Sequence, residues 1–251
     1  MDPNQRANGP YRGFISCFAV DGSTIFVGTK HDGVLLSIDD GTSWVNIGLR
    51  GTIVNALVVN GSNLFAGTSQ YGVYVSTNNG KSWTTVNSGL TSTKVLCLAM
   101  IGSSLFAGTE SGVYLSTNNG ISWNAVNAGL ANTIVWSHIV NDSNLYAGTD
   151  DGVFVSTNNG TSWTAVNTGL TDTFVRALAV SGSHLFAGTD RSGVFVSTNN
   201  GTNWTAANTG LTNTTVWDLA VSGSNLFART YGGAYFFPPT TAQAGLPSIL
   251  A

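Results

Sequence analysis

Tryptophans at 44, 83, 123, 163 and 204 recur at intervals of 39, 40, 40 and 41 residues, and this period constrains the fold more than any other feature of the chain. Each closes the same octapeptide. Ser76-Thr77-Asn78-Asn79-Gly80-Lys81-Ser82-Trp83 returns as Ser116 to Trp123, Ser156 to Trp163 and Ser197 to Trp204, and Ser37-Ile38-Asp39-Asp40-Gly41-Thr42-Ser43-Trp44 is the first copy. A sixth unit begins at Val216 and breaks off after Tyr235-Phe236-Phe237, at Pro238-Pro239. Each unit reads as four short strands. In the fourth, the pattern predicts strand A over Ile134 to Val140, B over Asn144 to Gly148, C over Gly152 to Ser156 and D over Ser162 to Asn167. These segments are rich in Val, Leu, Phe, Trp and Thr and are separated by the turn formers Asn, Asp, Gly and Ser. No segment sustains a 3.6-residue apolar period, so helix is not expected.

Four strands in about 40 residues is the spacing of a propeller blade, and a blade buries its faces only against neighbours. The expected fold is therefore an all-β, six-bladed β-propeller of four-stranded antiparallel blades, in one domain over 1–251. The expected blades run over about 14–52, 53–93, 94–133, 134–173, 174–214 and 215–237, followed by a tail over 238–251. The sixth unit has no strand D. Residues 4–9 loosely parallel the D segment of blade four, so the N-terminal segment is expected to supply the missing strand and clasp the first blade to the last.

Charged residues make up 8% of the chain, and the net charge is −3, against a norm of about 25% charged. The nine basic residues form no run, which argues against nucleic-acid or anionic-membrane partners. Apolar runs are broken well short of a membrane span. Met1-Asp2-Pro3-Asn4-Gln5-Arg6 lacks a signal peptide's apolar stretch; a secreted or periplasmic protein with its signal removed is favoured over a cytosolic one. Cys17 and Cys97 fall at equivalent positions in repeats one and three, too far apart for a disulfide, and read as small buried hydrophobes.

The octapeptide resembles the Asp-box, or BNR repeat, Ser-x-Asp-x-Gly-x-Thr-Trp, of sialidases, xyloglucan-degrading propellers, sortilin-type receptors and Ycf48-type assembly factors. Five boxes in register carry the resemblance from about Phe14 to Phe237. One departure stands out: only Asp39 keeps the aspartate, and Asn78, Asn118, Asn158 and Asn199 replace it. The third residue is expected to cap the C-to-D hairpin by accepting backbone N–H bonds, which Asn does nearly as well as Asp. Trp44, Trp83, Trp123, Trp163 and Trp204 are expected to wedge between blades. The boxes thus read as fold-stabilising turns, and the resemblance places them on the face opposite the active site.

Between repeats, variation gathers at the B-to-C turns and at the start of strand A, which a propeller brings to one face. The turns include Tyr71, Glu110, Asp150, Asp190 and Tyr231. The residue after the strand-A Val or Ile is Ser16, Asn55, Leu96, Trp136, Arg176 or Trp217, followed closely by His138 in blade four and Asp218 in blade six. Trp136, Arg176, Trp217, His138, Tyr71 and Tyr231 are the candidate ligand-binding residues, with aromatic faces for ring stacking and Arg176 for a carboxylate or hydroxyl pair. The alternative is that these residues are structural, with Arg176 paired to Asp190 or Asp218 and His138 in the core.

The resemblance to sialidases implies three arginines clasping a carboxylate and a tyrosine nucleophile, but only Arg176 sits on an inner strand. The xyloglucan relatives work between two propellers, and one is expected here. A two-carboxylate glycosidase would draw on Asp150, Asp190, Asp218 or Glu110, with nothing selecting a pair. No His/Cys cluster has metal-ligand spacing, and no cofactor is expected. The leading expectation is a monomeric, non-catalytic binding or scaffolding propeller that presents its loop face to a glycan or protein. A small carbohydrate-active enzyme is the alternative. An assembly factor, or a duplicated or engineered propeller without an evolved ligand, stands behind both.

Overall fold

The computed structural model describes residues 14–130 and 134–237. The fold is a six-bladed β-propeller, all-β, with no helix among the described residues. Among the described residues, five antiparallel sheets have four strands each, and the sixth has three. The chain divides into two compact units, residues 1–125 and 126–251, each carrying three blades. Strand A spans Ile15–Asp21, Val54–Asn60, Val95–Ile101, Val135–Asn141, Val175–Ser181 and Val216–Ser222 in blades one to six. Residues 4–9, expected to clasp blade six, and the tail 238–251 lie outside the described residues.

Repeat chemistry fixes both turns of a blade. At the B-to-C turn, the threonine ending strand B is buried in every blade. Its hydroxyl donates to the carbonyl of a glycine opening strand C, as Thr149 does to Gly152 (2.9 Å), and accepts from the turn's backbone, as from Asp151 N (3.0 Å). The residues outside that clamp are left free to differ. At the C-to-D turn, Ser76 Oγ accepts Gly80 N (2.8 Å) and Asn78 Oδ1 accepts Ser82 N (2.9 Å). Asn79 and Gly80 both take positive φ, 56° and 83°, which Asn and Gly tolerate best.

Strand D is shorter than expected. In blade four it spans Thr164–Ala165 rather than Ser162 to Asn167. At its start, Trp163 N donates to Ala128 O (2.8 Å), outside the sheet. At its end, the Asn167 side chain takes the ladder's place, accepting Val153 N on Oδ1 (2.7 Å) and donating to Asp151 O (3.2 Å). Asn87 and Asn208 do the same in blades two and five.

Blades pack by one rule. The Leu and Val of strand A in one blade cover the strand-B aromatic and the strand-C Val residues of the blade before. Leu219 and Val221 of blade six cover Phe186, Val194 and Val196 of blade five, and Leu178 and Val180 cover Tyr146, Val153 and Val155. The box tryptophan anchors to the preceding blade, in or just after strand D, through its indole N–H: Trp83 to Ile47 O (2.9 Å), Trp123 to Val86 O (2.7 Å) and Trp204 to Val166 O (2.7 Å). In the first blade, Trp44 turns back on its own Gly41 O (3.0 Å) instead. A strand-B glycine leaves room for the next strand A. A Cβ on Gly67, Gly148 or Gly188 would stand 2.6, 2.9 or 2.6 Å from Val95, Val175 or Val216.

Every strand A also carries a bulge at one place. The register skips between Ile15 and Cys17, Val54 and Ala56, Val95 and Cys97, Val135 and Ser137, Val175 and Ala177, and Val216 and Asp218. The skipped residues are Ser16, Asn55, Leu96, Trp136, Arg176 and Trp217.

Candidate functional site

The six skipped residues are also the strand-A positions at which the repeats differ most. A bulged residue has no partner across the ladder, and the extra residue re-aims its side chain. The valine before it is buried in blades two to six. Side-chain identity at the bulge is thereby separated from the packing beside it. Asn55 uses the freedom structurally, donating to Val95 O (2.8 Å).

In the second unit the bulges build two aromatic–arginine clusters. In the first, the Arg176 guanidinium carbon lies 5.5 Å from the Trp136 ring centroid and 4.7 Å from that of Phe174, and the two rings stand 5.5 Å apart. Arg176 Nε donates to Asp190 Oδ1 at 2.6 Å, and Arg191 approaches the other oxygen at 3.6 Å. Among the described residues, only Nε of the Arg176 fork is hydrogen-bonded, so further donors remain for an acceptor. Trp136 Nε1 is shielded from the surface and has no acceptor among the described residues.

The second cluster lies on blade six. Trp217 and Tyr231 meet edge to face at 5.7 Å, and the Arg229 guanidinium carbon sits 5.4 Å from the Trp217 ring centroid. Asp218 is paired with Arg229 across the ladder. Burial pushes its carboxyl above the ordinary carboxylate value, and the Arg229 charge partly restrains the shift. Trp217 and Tyr231 are exposed.

Phe174 and Arg229 escaped sequence reasoning. Arg229 left a readable signal: it interrupts the Gly of the Phe-Ala-Gly-Thr run at strand B.

The other candidates are placed differently. Tyr71 belongs to the first unit and is exposed, its backbone held by Thr68 and Asn87. Glu110 pairs with Lys94 at 2.5 Å, and Asp150 Oδ1 accepts Ile134 N at 3.0 Å. His138 departs from its expected place at a ligand-facing rim. It stacks on Trp163, ring centroids 6.3 Å apart and planes 11° from parallel, in the layer that Leu57, Leu98 and Leu178 fill elsewhere. The bulge breaks the two-residue alternation, so Trp136 and His138 do not share surroundings. Both His138 nitrogens are shielded and unpartnered among the described residues, and burial lowers its pKa to about 3. Among the described residues, no group of His, Cys, Asp and Glu is placed to hold a metal.

At the boxes of blades two to four, Asn replaces Asp without loss of a bond. Asp39 Oδ1 accepts Ser43 N (2.9 Å) while Oδ2 accepts the Ser43 hydroxyl (2.6 Å). Asn78 Oδ1 accepts Ser82 N (2.9 Å) while Nδ2 donates to the Ser82 hydroxyl (2.9 Å), so that hydroxyl reverses its role. The Ser43 side-chain bond, then the Ser43 amide and Ser37 hydroxyl, hold the Asp39 carboxyl below its ordinary value. Near these turns, Asn46, Ile47, Gly48, Arg50, Gly80 and Lys81 line an open cavity of about 640 Å³.

Comparison with known sequences matches residues 74–85 to the BNR/Asp-box repeat and residues 95–227 to the DUF6242 beta propeller domain. No curated protein matches the chain. Among solved structures, the extracellular domain of the one component system BT4673 from B. thetaiotaomicron superposes with a TM-score of 0.74 at 18% identity, covering 88% of this chain and 32% of that one. YCF48 bound to D1 peptide gives 0.71 at 15% identity, covering 89% and 78%. The GH74 enzyme of Niastella koreensis gives 0.70 at 16% identity, covering 88% and 44%. The chain thus spans about a third of the BT4673 domain and under half of the GH74 enzyme, and the likeness is one of fold.

Proposed function

The chain belongs to the DUF6242 β-propeller domain family, and on that premise we propose that it is a non-catalytic binding module that presents its strand-A bulges and B-to-C turns to a glycan or protein ligand. The observation that carries this reading is the coincidence of the bulge with the most variable strand-A position in all six blades. The scaffold repeats where packing needs it and differs where a side chain is released from the ladder. At two of those positions a tryptophan lies beside an arginine, a pairing suited to a planar or ring-bearing ligand with hydrogen-bond acceptors.

The catalytic alternative has less support. Glu110, Asp150 and Asp190 are each held by a structural partner, which leaves Asp218 without a second free carboxylate beside it. Among the structural relatives, YCF48 is described with a bound peptide, a description that fits a binding role, and the BT4673 structure is the extracellular domain of a one component system.

Screening on glycan and peptide arrays is expected to yield a ligand whose affinity falls at least about tenfold in Trp217→Ala and in Arg176→Ala, the loss of one well-placed stacking or charged contact. Unchanged affinity in both variants overturns the assignment of the site. Glycoside turnover abolished by Asp218→Asn overturns the non-catalytic reading.

A further inference from the structure

The connection from strand D to the next strand A is two residues shorter in blade one than in the others. Trp44 stands ten residues before Val54, whereas Trp83, Trp123, Trp163 and Trp204 stand twelve before Val95, Val135, Val175 and Val216. The missing pair is the one that precedes Gly-Leu elsewhere: Asn87-Ser88, Asn127-Ala128, Asn167-Thr168 and Asn208-Thr209. In blade one, Gly48-Leu49 follows Ile47 directly. That pair closes the seam to the next blade. Ser88 O, Ala128 O and Thr168 O accept the backbone N–H of the next box tryptophan, Trp123, Trp163 and Trp204 in turn, each at 2.8 Å.

Ahead of blade two the seam is left open where the pair would lie. Among the described residues, the corresponding bond from Trp83 N is missing, and Trp83 stays partly exposed where Trp123, Trp163 and Trp204 are buried. Gly89 packs against the backbone of the next box, since a Cβ there would stand 2.2 Å from Trp123 O. Gly48 meets the Trp83 ring instead, at 2.8 Å from the same construction. The opening is the cavity of about 640 Å³ lined by Asn46, Ile47, Gly48, Arg50, Gly80 and Lys81. Two of its residues are basic and none is acidic. Both basic residues depart from the repeat: the places of Arg50 hold Thr91, Ala131, Thr171 and Thr212, and those of Lys81 hold Thr42, Ile121, Thr161 and Thr202. Both are exposed, and neither meets a carboxylate among the described residues. Arg50 Nε donates to Asn46 Oδ1 at 2.9 Å, which fixes the guanidinium and leaves its outer N–H groups for an acceptor.

We infer that this gap is a second binding site, built from residues that the bulge site does not use, and that it takes an extended acidic peptide. The backbone of the ligand is identified by what fills the equivalent place at three other seams, a peptide carbonyl on the tryptophan N–H. Its charge is identified by Arg50 and Lys81, which receive carboxylate side chains flanking that carbonyl. The ligand thus restores the rung that the two missing residues leave unmade, and the two cations select acidic segments over neutral ones.

Titration of the isotope-labelled full chain with the acetylated, amidated peptide Glu-Asn-Ser-Glu-Glu, followed by amide NMR, tests this; the probe carries the missing pair between acidic residues. The Trp83 amide signal is expected to shift and saturate with a Kd of about 1 mM or tighter, the range of a few exposed charge-assisted contacts. The neutral peptide Gln-Asn-Ser-Gln-Gln is expected to bind at least about tenfold more weakly, as is the acidic peptide to Arg50→Thr/Lys81→Thr, whose exposed changes leave the rest of the spectrum in place. Insertion of Asn-Ser between Ile47 and Gly48 is expected to abolish binding and to move the free Trp83 amide signal toward that of Trp123. No Trp83 shift at about 5 mM acidic peptide overturns the inference. So does equal binding by the double threonine variant or by the neutral peptide, or a folded insertion variant that still binds. Tetragalacturonate shifting these signals where the peptide does not would show that the cations read an acidic sugar, and overturns the peptide assignment.

Discussion

His138 stands in a packing layer otherwise filled by Leu57, Leu98, Leu178 and Leu219, and its ring nitrogens find no partner among the described residues. Leucine there would bury apolar surface without stranding two polar atoms. His138→Leu is therefore expected to raise the denaturant midpoint. Its pH dependence gives a second readout. The folded protein holds this imidazole neutral, with a pKa near 3, while the unfolded chain protonates it near 6.5. Below about pH 6.5 the unfolded state binds the extra proton, so stability falls with acid by up to about 1.4 kcal/mol per pH unit until the folded pKa is reached. That slope should be missing in His138→Leu; equal slopes in both proteins would show that the ring is solvated or paired. At the boxes the exchange is expected to be silent. Asp39→Asn can rebuild the bond set of Asn78, so its melting temperature should match wild type, whereas Asp39→Ala forfeits bonds to Ser37 and Ser43 and should melt lower.

Strands A, B and C were legible in the sequence to within a residue or two, because the two-residue apolar pattern and the Asn-Gly turns mark them directly. Strand D was not. Its predicted length ignored that Trp163 N is used outside the sheet and that Asn167 replaces a backbone rung by a side chain, and neither fact has a periodic signature. Asn167→Ala tests the second. It leaves the Val153 amide without its acceptor, a loss of about 1–3 kcal/mol when the group is buried, read as a lower denaturant midpoint; an unchanged midpoint would show that another acceptor takes over. The bulges were half legible. Variability after the strand-A Val singled out the positions, but a bulge is a relation between two strands' registers, and the sequence of one strand does not carry it. The choice between rim and core for His138 stayed open for the same reason: the residue skipped before Ser137 decides which side position 138 takes.

The repeat defined the fold from sequence because a 40-residue unit leaves its faces to be buried by its neighbours. How the terminal faces are covered did not follow from it, since the first and last units repeat the strand A to C pattern of the rest and the last breaks off before strand D. The division between constant packing positions and free bulge positions is the claim on which the functional reading stands. It is tested by a pair of triple variants. Trp136→Leu/Arg176→Leu/Trp217→Leu places the residue of the third blade's bulge, Leu96, in all three positions, while Val135→Ala/Val175→Ala/Val216→Ala alters the buried residues immediately before them. The account predicts that the bulge variant melts within about 6 °C of wild type, the cost of a few partly exposed cation–π and ionic contacts, and no longer binds the ligand selected by wild type, while the valine variant loses far more stability. A bulge variant that unfolds as readily as the valine variant, or that still binds, would contradict it.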